Sequence, residues 1–166
     1  MKYILYLSFI ALSQTVSSET FPHGWQLSTK EQYLKEDVEW YKGAIPNKII
    51  ADFNGDKTPD TAWVLTDKKK KKWGLFISLS SENAKPTIIK LDEGEITSHI
   101  YVGISPLKPG KYKTACGKGY WDCTKNEVPL LNLINTSIDY FMFESANSVY
   151  VWEEKESEFK RIWLSD

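Results

Sequence analysis

Residues 60–80 of this chain read DTAWVLTDKKKKKWGLFISLS, and this stretch decides the fold. Its last eight residues place Trp73, Leu75 and Ile77 on one face, the period of two that indicates a strand with one buried side. A first apolar run, DTAWVLT, precedes it, and five lysines, Lys68–Lys72, separate the two. We therefore predict two antiparallel strands joined at a charged tip. The lysines either bind an acidic partner or polymer, or are solvated charges that protect the sheet edges from aggregation, the interpretation we prefer.

The same pattern continues after Pro46, with Gly, Pro, Asn and Asp clusters between the apolar runs. About eight strands without alternating helices predict a mostly β protein with an antiparallel sheet, as a sandwich, an open barrel or a partial-propeller-like arrangement. The last two strands are joined by a charged turn, Glu153–Glu158. The further strands are expected at 48–53, 87–91, 100–104, 131–134, 138–143, 148–152 and 159–164.

One short helix is predicted near the N-terminus, over about residues 29–41. The sequence from Ser28 to Glu31, STKE, is a capping-box signature, and apolar residues then recur at helical spacing. Gly43 follows and Pro46 prevents continuation.

Composition excludes several classes of protein. The chain has 166 residues, of which 42% are hydrophobic and 26% charged, which argues against disordered, collagen-like and multi-span membrane proteins. Its formal charge of −1 gives no overall electrostatic reason to bind nucleic acid.

The first eighteen residues have the three parts of a secretory signal peptide. Lys2 provides the positive charge, Tyr3–Leu12 is uncharged and largely apolar, and a small polar segment, SQTVSS, precedes Glu19. We predict removal of residues 1–18, a single β-rich domain over residues 19–166, no membrane span in the mature chain, and a periplasmic or secreted location.

Two cysteines, Cys116 and Cys123, lie close together in CGKGYWDC. In an exported protein such a pair forms a disulfide by default, which here would stabilise the fold by about 2–3 kcal/mol. The closed loop would present Tyr120 and Trp121 on a rigid frame, either as recognition groups or, for Trp121, folded back onto the β scaffold.

The segment Asp52–Asp60, DFNGDKTPD, carries the clearest chemical pattern. Oxygen-bearing side chains occur at alternate positions, and a crowded set of three carboxylates favours a hard cation such as calcium. The alternative is an acidic Asx-type turn that needs no ion. The loop lacks the glutamate and flanking helices of an EF-hand, since its twelfth position is Trp63.

The sequence ADFNGDKTPDTAWVL resembles the calcium loop of FG-GAP, or VCBS-like, repeats, which lies between two strands of a propeller blade. The resemblance implies a structural calcium ion, with side-chain ligands and one carbonyl ligand from Asp52, Asn54, Asp56, Thr58 and Asp60. The chain departs from the family at Lys57, where a left-handed glycine is usual, and it carries the motif once. The resemblance covers about 20 residues.

The sequence favours binding over catalysis. It contains no GxSxG, HExxH, P-loop or GxGxxG motif, and its two histidines, His23 and His99, are isolated. We therefore expect an exported envelope binding protein, of the inhibitor or immunity type, that recognises a protein or polymer. The alternative is a cell-wall glycan hydrolase with paired carboxylates, for which the candidates are Asp122, Asp139 and Glu144.

Overall fold

The computed structural model describes residues 20–82 and 84–166, and the predicted signal peptide lies outside these residues. The described part contains one α-helix, α1 (Lys35–Trp40), and 3-10 turns at Lys30–Gln32 and Cys116–Lys118. The strands are β1 (Gln26–Leu27), β2 (Lys48–Ala51), β3 (Asp60–Asp67), β4 (Lys72–Leu79), β5 (Thr87–Glu95), β6 (Val102–Leu107), β7 (Gly110–Lys113), β8 (Leu130–Leu133), β9 (Ser137–Met142), β10 (Asn147–Glu153) and β11 (Glu158–Ser165).

The strands form two main antiparallel sheets and one small one. In the first sheet β3 pairs with β4, β4 with β5, and β1 and β2 share the other edge of β3. The second sheet has the order β11-β10-β9-β6, and β7 pairs with β8. The prediction of a mostly antiparallel β protein with one short helix is therefore confirmed, and none of these described sheets closes on itself.

The stretch that opened the analysis forms the two predicted antiparallel strands, but β4 is buried on both faces rather than on one, because Phe76 packs against Trp25 on the side opposite Leu75. β3 and β4 are antiparallel neighbours from Thr61 opposite Ser78 to Asp67 opposite Lys72. Residues 68–71 form the turn between them. The charged turn before β11 is confirmed as well, because Glu153 pairs with Glu158 across it.

One cluster of buried side chains includes residues of both main sheets. The first sheet contributes Val64, Leu75 and Ile77, all completely buried, and the second contributes Val102 and Ile138, also completely buried. Burying side chains of this size stabilises a fold by about 1.5–3 kcal/mol each relative to leaving them exposed. The shared core thus holds both sheets in place.

The outer faces of the sheets are covered by different segments. On the first sheet Trp63 and Phe76 pack against Phe21 and Trp25 of the N-terminal lead-in. On one part of the second sheet, β7 and β8 contribute to a separate apolar cluster with Val149 and Leu164. The remaining part of that outer face lies next to α1.

The predicted helix over 29–41 is longer than the one observed. Tyr33 interrupts it by forming an isolated parallel bridge with Ile100, while its hydroxyl lies 3.0 Å from that of Ser28. The capping box lies one residue later than expected, because the Thr29 N–H donates to Gln32 Oε1 at 2.8 Å. Tertiary contacts of Tyr33 and Ser28 therefore outweigh the local helical periodicity.

Two strands were not predicted. β1 has only two residues, and β7 reads GKYK, whose lysines give no apolar alternation. Both are held by pairing with a neighbour rather than by their own sequence. Within residues 20–82 and 84–166, no helix is both long and apolar enough to cross a bilayer.

Candidate functional site

The Asp52–Asp60 loop connects β2 to β3, as its flanking apolar runs predicted. Its last residue, Asp60, is completely buried and accepts hydrogen bonds from the Phe53 N–H at 3.0 Å and the Ser80 N–H at 2.9 Å. Burial raises the pKa of Asp60, and the two backbone bonds oppose that rise. Asp60, the first residue of β3, thus connects the start of the loop at Phe53 to Ser80, which follows β4.

The other oxygens of the loop also accept from nearby backbone N–H groups. Asp52 accepts from Gly55 at 2.7 Å and from Lys57 at 2.9 Å, and Asp56 accepts from Thr58 at 2.7 Å. These are the local side-chain bonds of Asx-type turns. The hydrogen bond from the Asn54 side chain, at 3.0 Å, is the largest of the effects that lower the pKa of Asp56.

The backbone of the loop turns left-handed twice, at Gly55 (φ 82°) and at Lys57 (φ 71°). Lys57 therefore adopts a left-handed conformation that a residue with a Cβ takes at a cost of about 1–2 kcal/mol. A Cβ on Gly55 would lie 2.5 Å from Asn135 Nδ2, so a larger residue at this position would require the Asn135 side chain to move.

The five predicted calcium ligands occupy alternate positions of one loop, and the side-chain oxygens of Asp52, Asn54, Asp56 and Asp60 accept hydrogen bonds from backbone N–H groups. Among the residues that the structure describes, no three His, Cys, Asp or Glu side chains form a group that could hold a metal ion. In the described conformation the acidic residues stabilise the loop without a shared centre. Calcium binding by Asp52, Asn54, Asp56, Thr58 and Asp60 stays a prediction.

The predicted disulfide joins Cys116 to Cys123 and closes the loop that carries the two aromatic candidates. Tyr120 is exposed, whereas Trp121 is half-buried and donates from Nε1 to Glu127 Oε1 at 3.1 Å. Tyr120 is therefore available to a partner, and Trp121 is partly engaged with the chain itself.

The structure also contains a candidate binding cleft that the sequence analysis did not predict. It is a cleft of about 770 Å³ between α1, β9 and the β9–β10 turn, here called the α1–β9 cleft. Its principal side chains are Asp37, Trp40, Tyr41, Asp139, Phe141 and Glu144.

The aromatic wall of the α1–β9 cleft is built by packing α1 onto the outer face of β9. The rings of Tyr41 and Phe141 stack with centroids 5.6 Å apart and an interplanar angle of 3°. Gly103 of β6 makes room for this, since a Cβ there would lie 2.6 Å from two atoms of Phe141. Trp40 contacts Tyr41 edge-on at 5.2 Å, yet 77% of its surface is exposed.

The acidic wall of the α1–β9 cleft is formed by the carboxylates of Asp37, Asp139 and Glu144. Asp37 is only 9% exposed, and none of the described residues donates a hydrogen bond to its Oδ2. Burial raises its pKa, the nearby His99 opposes the rise, and Glu144 and Glu36 add to it. Burial also raises the pKa of Asp139, which the Ser105 hydroxyl opposes by donating to its Oδ2 at 2.9 Å.

The three catalytic candidates are not all brought together. Asp139 of β9 and Glu144 of the following turn both line the α1–β9 cleft, but Asp122 is exposed on the disulfide loop and lines none of it. Asp37, which the sequence analysis did not single out, lines the cleft together with Asp139 and Glu144. His23 is exposed in the lead-in, and His99 hydrogen-bonds to its neighbour Ser98 at 2.8 Å.

The residues that the sequence missed are Asp37, Trp40 and Tyr41. A signal was present: a carboxylate beside Val38, followed by two aromatic residues at the end of the helix, is unusual for a solvated helix end. Comparison with protein-family models, with curated proteins and with solved structures found no match for this chain.

Proposed function

We propose that this chain is an exported binding protein, of the inhibitor or immunity type, that recognises a protein or polymer of the cell envelope without catalysis. We place it in the periplasm or outside the cell, and we take its scaffold to be a sandwich of the two main sheets. The observation that carries the proposal is the α1–β9 cleft, in which the exposed ring of Trp40 adjoins the buried Asp37, whose Oδ2 accepts no hydrogen bond from the described residues.

Both features are unfavourable for an isolated protein and favourable for a complex. The Trp40 ring exposes apolar surface that a partner would bury at about 25 cal/mol per Å². The Oδ2 atom of the Asp37 carboxylate is buried and accepts no hydrogen bond from the part of the chain that the structure describes, and a group of a partner can supply one. Large aromatic residues with few rotatable bonds are also the side chains that most often dominate binding energy.

Tyr120 offers a second contact point on a rigid frame. The disulfide and the bond from Lys118 Nζ to the Leu164 carbonyl, 2.7 Å long, fix the loop on which it lies. A preorganised loop loses little entropy on binding. We therefore include Tyr120 and the half-buried Trp121 in the proposed recognition surface.

The test is affinity chromatography of an envelope extract on the purified protein. We expect wild type to retain a component that the Trp40→Ala variant retains at least tenfold less, while a Trp152→Ala control, outside the α1–β9 cleft, behaves as wild type. Equal retention by wild type and Trp40→Ala would contradict recognition at this cleft.

We propose in addition that the Asp52–Asp60 loop binds calcium as a structural ion. The argument is the alternation of oxygen ligands, and each carboxylate oxygen that accepts one N–H bond keeps a second lone pair for an ion. Calorimetric titration with calcium should show millimolar or tighter binding that the Asp56→Ala variant loses. If titration of the wild-type protein with calcium releases or absorbs no heat of binding, the calcium proposal is wrong.

The alternative function is a cell-wall glycan hydrolase, and one observation favours it. Asp139 and Glu144 line the same cleft, together with Asp37, and carboxylate pairs with unequal environments are what glycoside hydrolysis uses. Release of reducing ends from peptidoglycan by wild type, lost in Asp139→Asn, would establish it. Absence of turnover with retained binding by Asp139→Asn favours the binding protein.

A further inference from the structure

The charged side chains that line the α1–β9 cleft are all acidic, and His99 lies near Asp37 without lining the cleft. Four acidic residues line it, namely Glu36, Asp37, Asp139 and Glu144, and no lysine, arginine or histidine is among the described residues that do so. A concave, one-signed site concentrates ligands of the opposite charge. The electrostatics of the cleft therefore select a cationic ligand.

Asp37 provides an observation that is independent of this acidic cluster. It is more than nine-tenths buried, it lines the cleft, and its Oδ2 lacks a hydrogen-bond partner among the described residues. Leaving a buried carboxylate oxygen unpaired is costly, whereas a charged N–H donor makes one of the stronger hydrogen bonds in proteins. A charged nitrogen donor is therefore a chemically suitable partner for Asp37.

The aromatic residues add a further requirement. Tyr41 and Phe141 form a stacked pair, and Trp40 projects beside them with most of its ring exposed. Aromatic faces attract organic cations and pack against their alkyl parts. Calcium, in contrast, binds six to eight oxygen ligands, and the aromatic rings that line much of the α1–β9 cleft do not provide them.

We propose that the α1–β9 cleft binds an organic cation, an alkylammonium or guanidinium group, which pairs with Asp37 and packs its alkyl part against Trp40. This inference rests on the proposed function, because it names the ligand chemistry at the same cleft. The cation is either a free small molecule or a lysine or arginine side chain of a protein partner. Both present the same group to Asp37.

Calorimetry with defined probes tests the inference. The free probes are butylammonium and butylguanidinium, with butanol and butylurea as their neutral counterparts, and the peptide probe is a Gly-Lys-Gly-Arg tetrapeptide beside Gly-Gln-Gly-Gln. We expect at least one cationic probe to bind at least tenfold more tightly than its neutral counterpart. Binding by the free cations alone indicates a small-molecule ligand, and tighter binding by the peptide indicates a protein partner.

Variants locate the site. Asp37→Asn keeps the shape of the side chain and should weaken cation binding at least tenfold, and Trp40→Ala should weaken it about three- to tenfold. Glu39→Gln removes one charge from the same helix at a position outside the cleft, where Glu39 pairs with Lys35 at 3.5 Å, so it should change affinity less than twofold. Because Trp40 is largely exposed, its variant should fold even if Asp37→Asn does not.

The outcomes separate this inference from the proposed function. Equal affinity for cationic and neutral probes, no binding of any cation, or unchanged affinity in both cleft variants overturns cation recognition. If envelope material is nevertheless retained in a Trp40-dependent manner, the proposed function stands without it. Cation binding that depends on Asp37, with no Trp40-dependent retention of envelope material, supports the inference and contradicts the proposed function.

Discussion

Replacing Asp60 by alanine tests whether this side chain holds the β2–β3 loop through backbone hydrogen bonds. The carboxylate is completely buried and accepts from Phe53 N–H and Ser80 N–H, at 3.0 and 2.9 Å. Alanine leaves both donors without an acceptor. An unsatisfied buried donor costs about 1–3 kcal/mol, and the half-buried Ser80 can recover part of its bond from water.

The expected loss of unfolding free energy is therefore about 2–4 kcal/mol. Relief from burying a carboxylate, whose pKa is raised by that burial, reduces the loss and places it toward the lower end. Asp60→Asn keeps one acceptor oxygen and should lose about half as much. Asp56→Ala serves as the control, because its carboxylate lies in the same loop but is exposed, and it should lose less than about 1 kcal/mol.

Urea unfolding followed by far-ultraviolet circular dichroism measures these differences. With a slope of about 2 kcal/mol per molar urea, Asp60→Ala should unfold at about 1–2 M less urea than wild type. A shift below about 0.25 M, or a loss in Asp60→Asn as large as that in Asp60→Ala, would refute the reasoning. The first result would mean that the two backbone donors find other acceptors, and the second that charge rather than acceptor geometry matters.

Three further predictions concern the disulfide loop and the first sheet. A Cβ on Gly117 would overlap the backbone carbonyl of Pro129, so Gly117→Ala should lower the unfolding free energy by about 1–3 kcal/mol or more. Gly119 has a φ of 87° and open space around it, so Gly119→Ala should lower the unfolding free energy by only about 1 kcal/mol. Similar losses for the two variants in urea titrations would contradict the overlap at Gly117. Reduction of the disulfide should cost about 2–3 kcal/mol, and thiol titration of the unfolded, unreduced protein should find no free thiol; two free thiols would refute the pairing. Hydrogen bonds from two lysines lower the pKa of Glu93 from 4.5 to about 2, so the stability that these bonds give is present above pH 4.5 and is lost as the pH falls toward 2. The unfolding free energy of Glu93→Gln should therefore fall less between pH 4.5 and pH 2 than that of wild type. The same fall in both proteins would contradict this prediction.

β4 could be predicted because the apolar residues of its core face, Trp73, Leu75 and Ile77, recur with a period of two. Burial of its other face could not be predicted, because the ring that covers Phe76 comes from Trp25 in the N-terminal lead-in. The two residues of β1 carry no period at all, and they are ordered because Leu27 pairs with Leu65 on the edge of β3. A strand whose order comes from its neighbour leaves no pattern of its own to detect.

The predicted extent of the helix, about residues 29–41, was wrong for a related reason. Apolar residues at helical spacing around Tyr33 indicated one continuous segment, but Tyr33 is fixed by Ile100, which is 67 residues away in sequence. Its bridge with Ile100 requires extended backbone there, so α1 begins only at Lys35. Short helices depend on tertiary packing more than on propensity, and the packing partner was invisible from local spacing.

The two sites differ in the same way. The Asp52–Asp60 loop is local, so the alternation of its oxygen-bearing residues could be identified from the sequence alone. The α1–β9 cleft combines Asp37 with Asp139, about a hundred residues apart, and needs α1 to lie on the outer face of β9. Only pairing of β6 with β9, which brings Gly103 opposite Phe141, leaves the flat space in which Tyr41 stacks. The position of this acidic and aromatic cleft is therefore a consequence of sheet register, and a glycine in a neighbouring strand contributes to it as much as the carboxylates do.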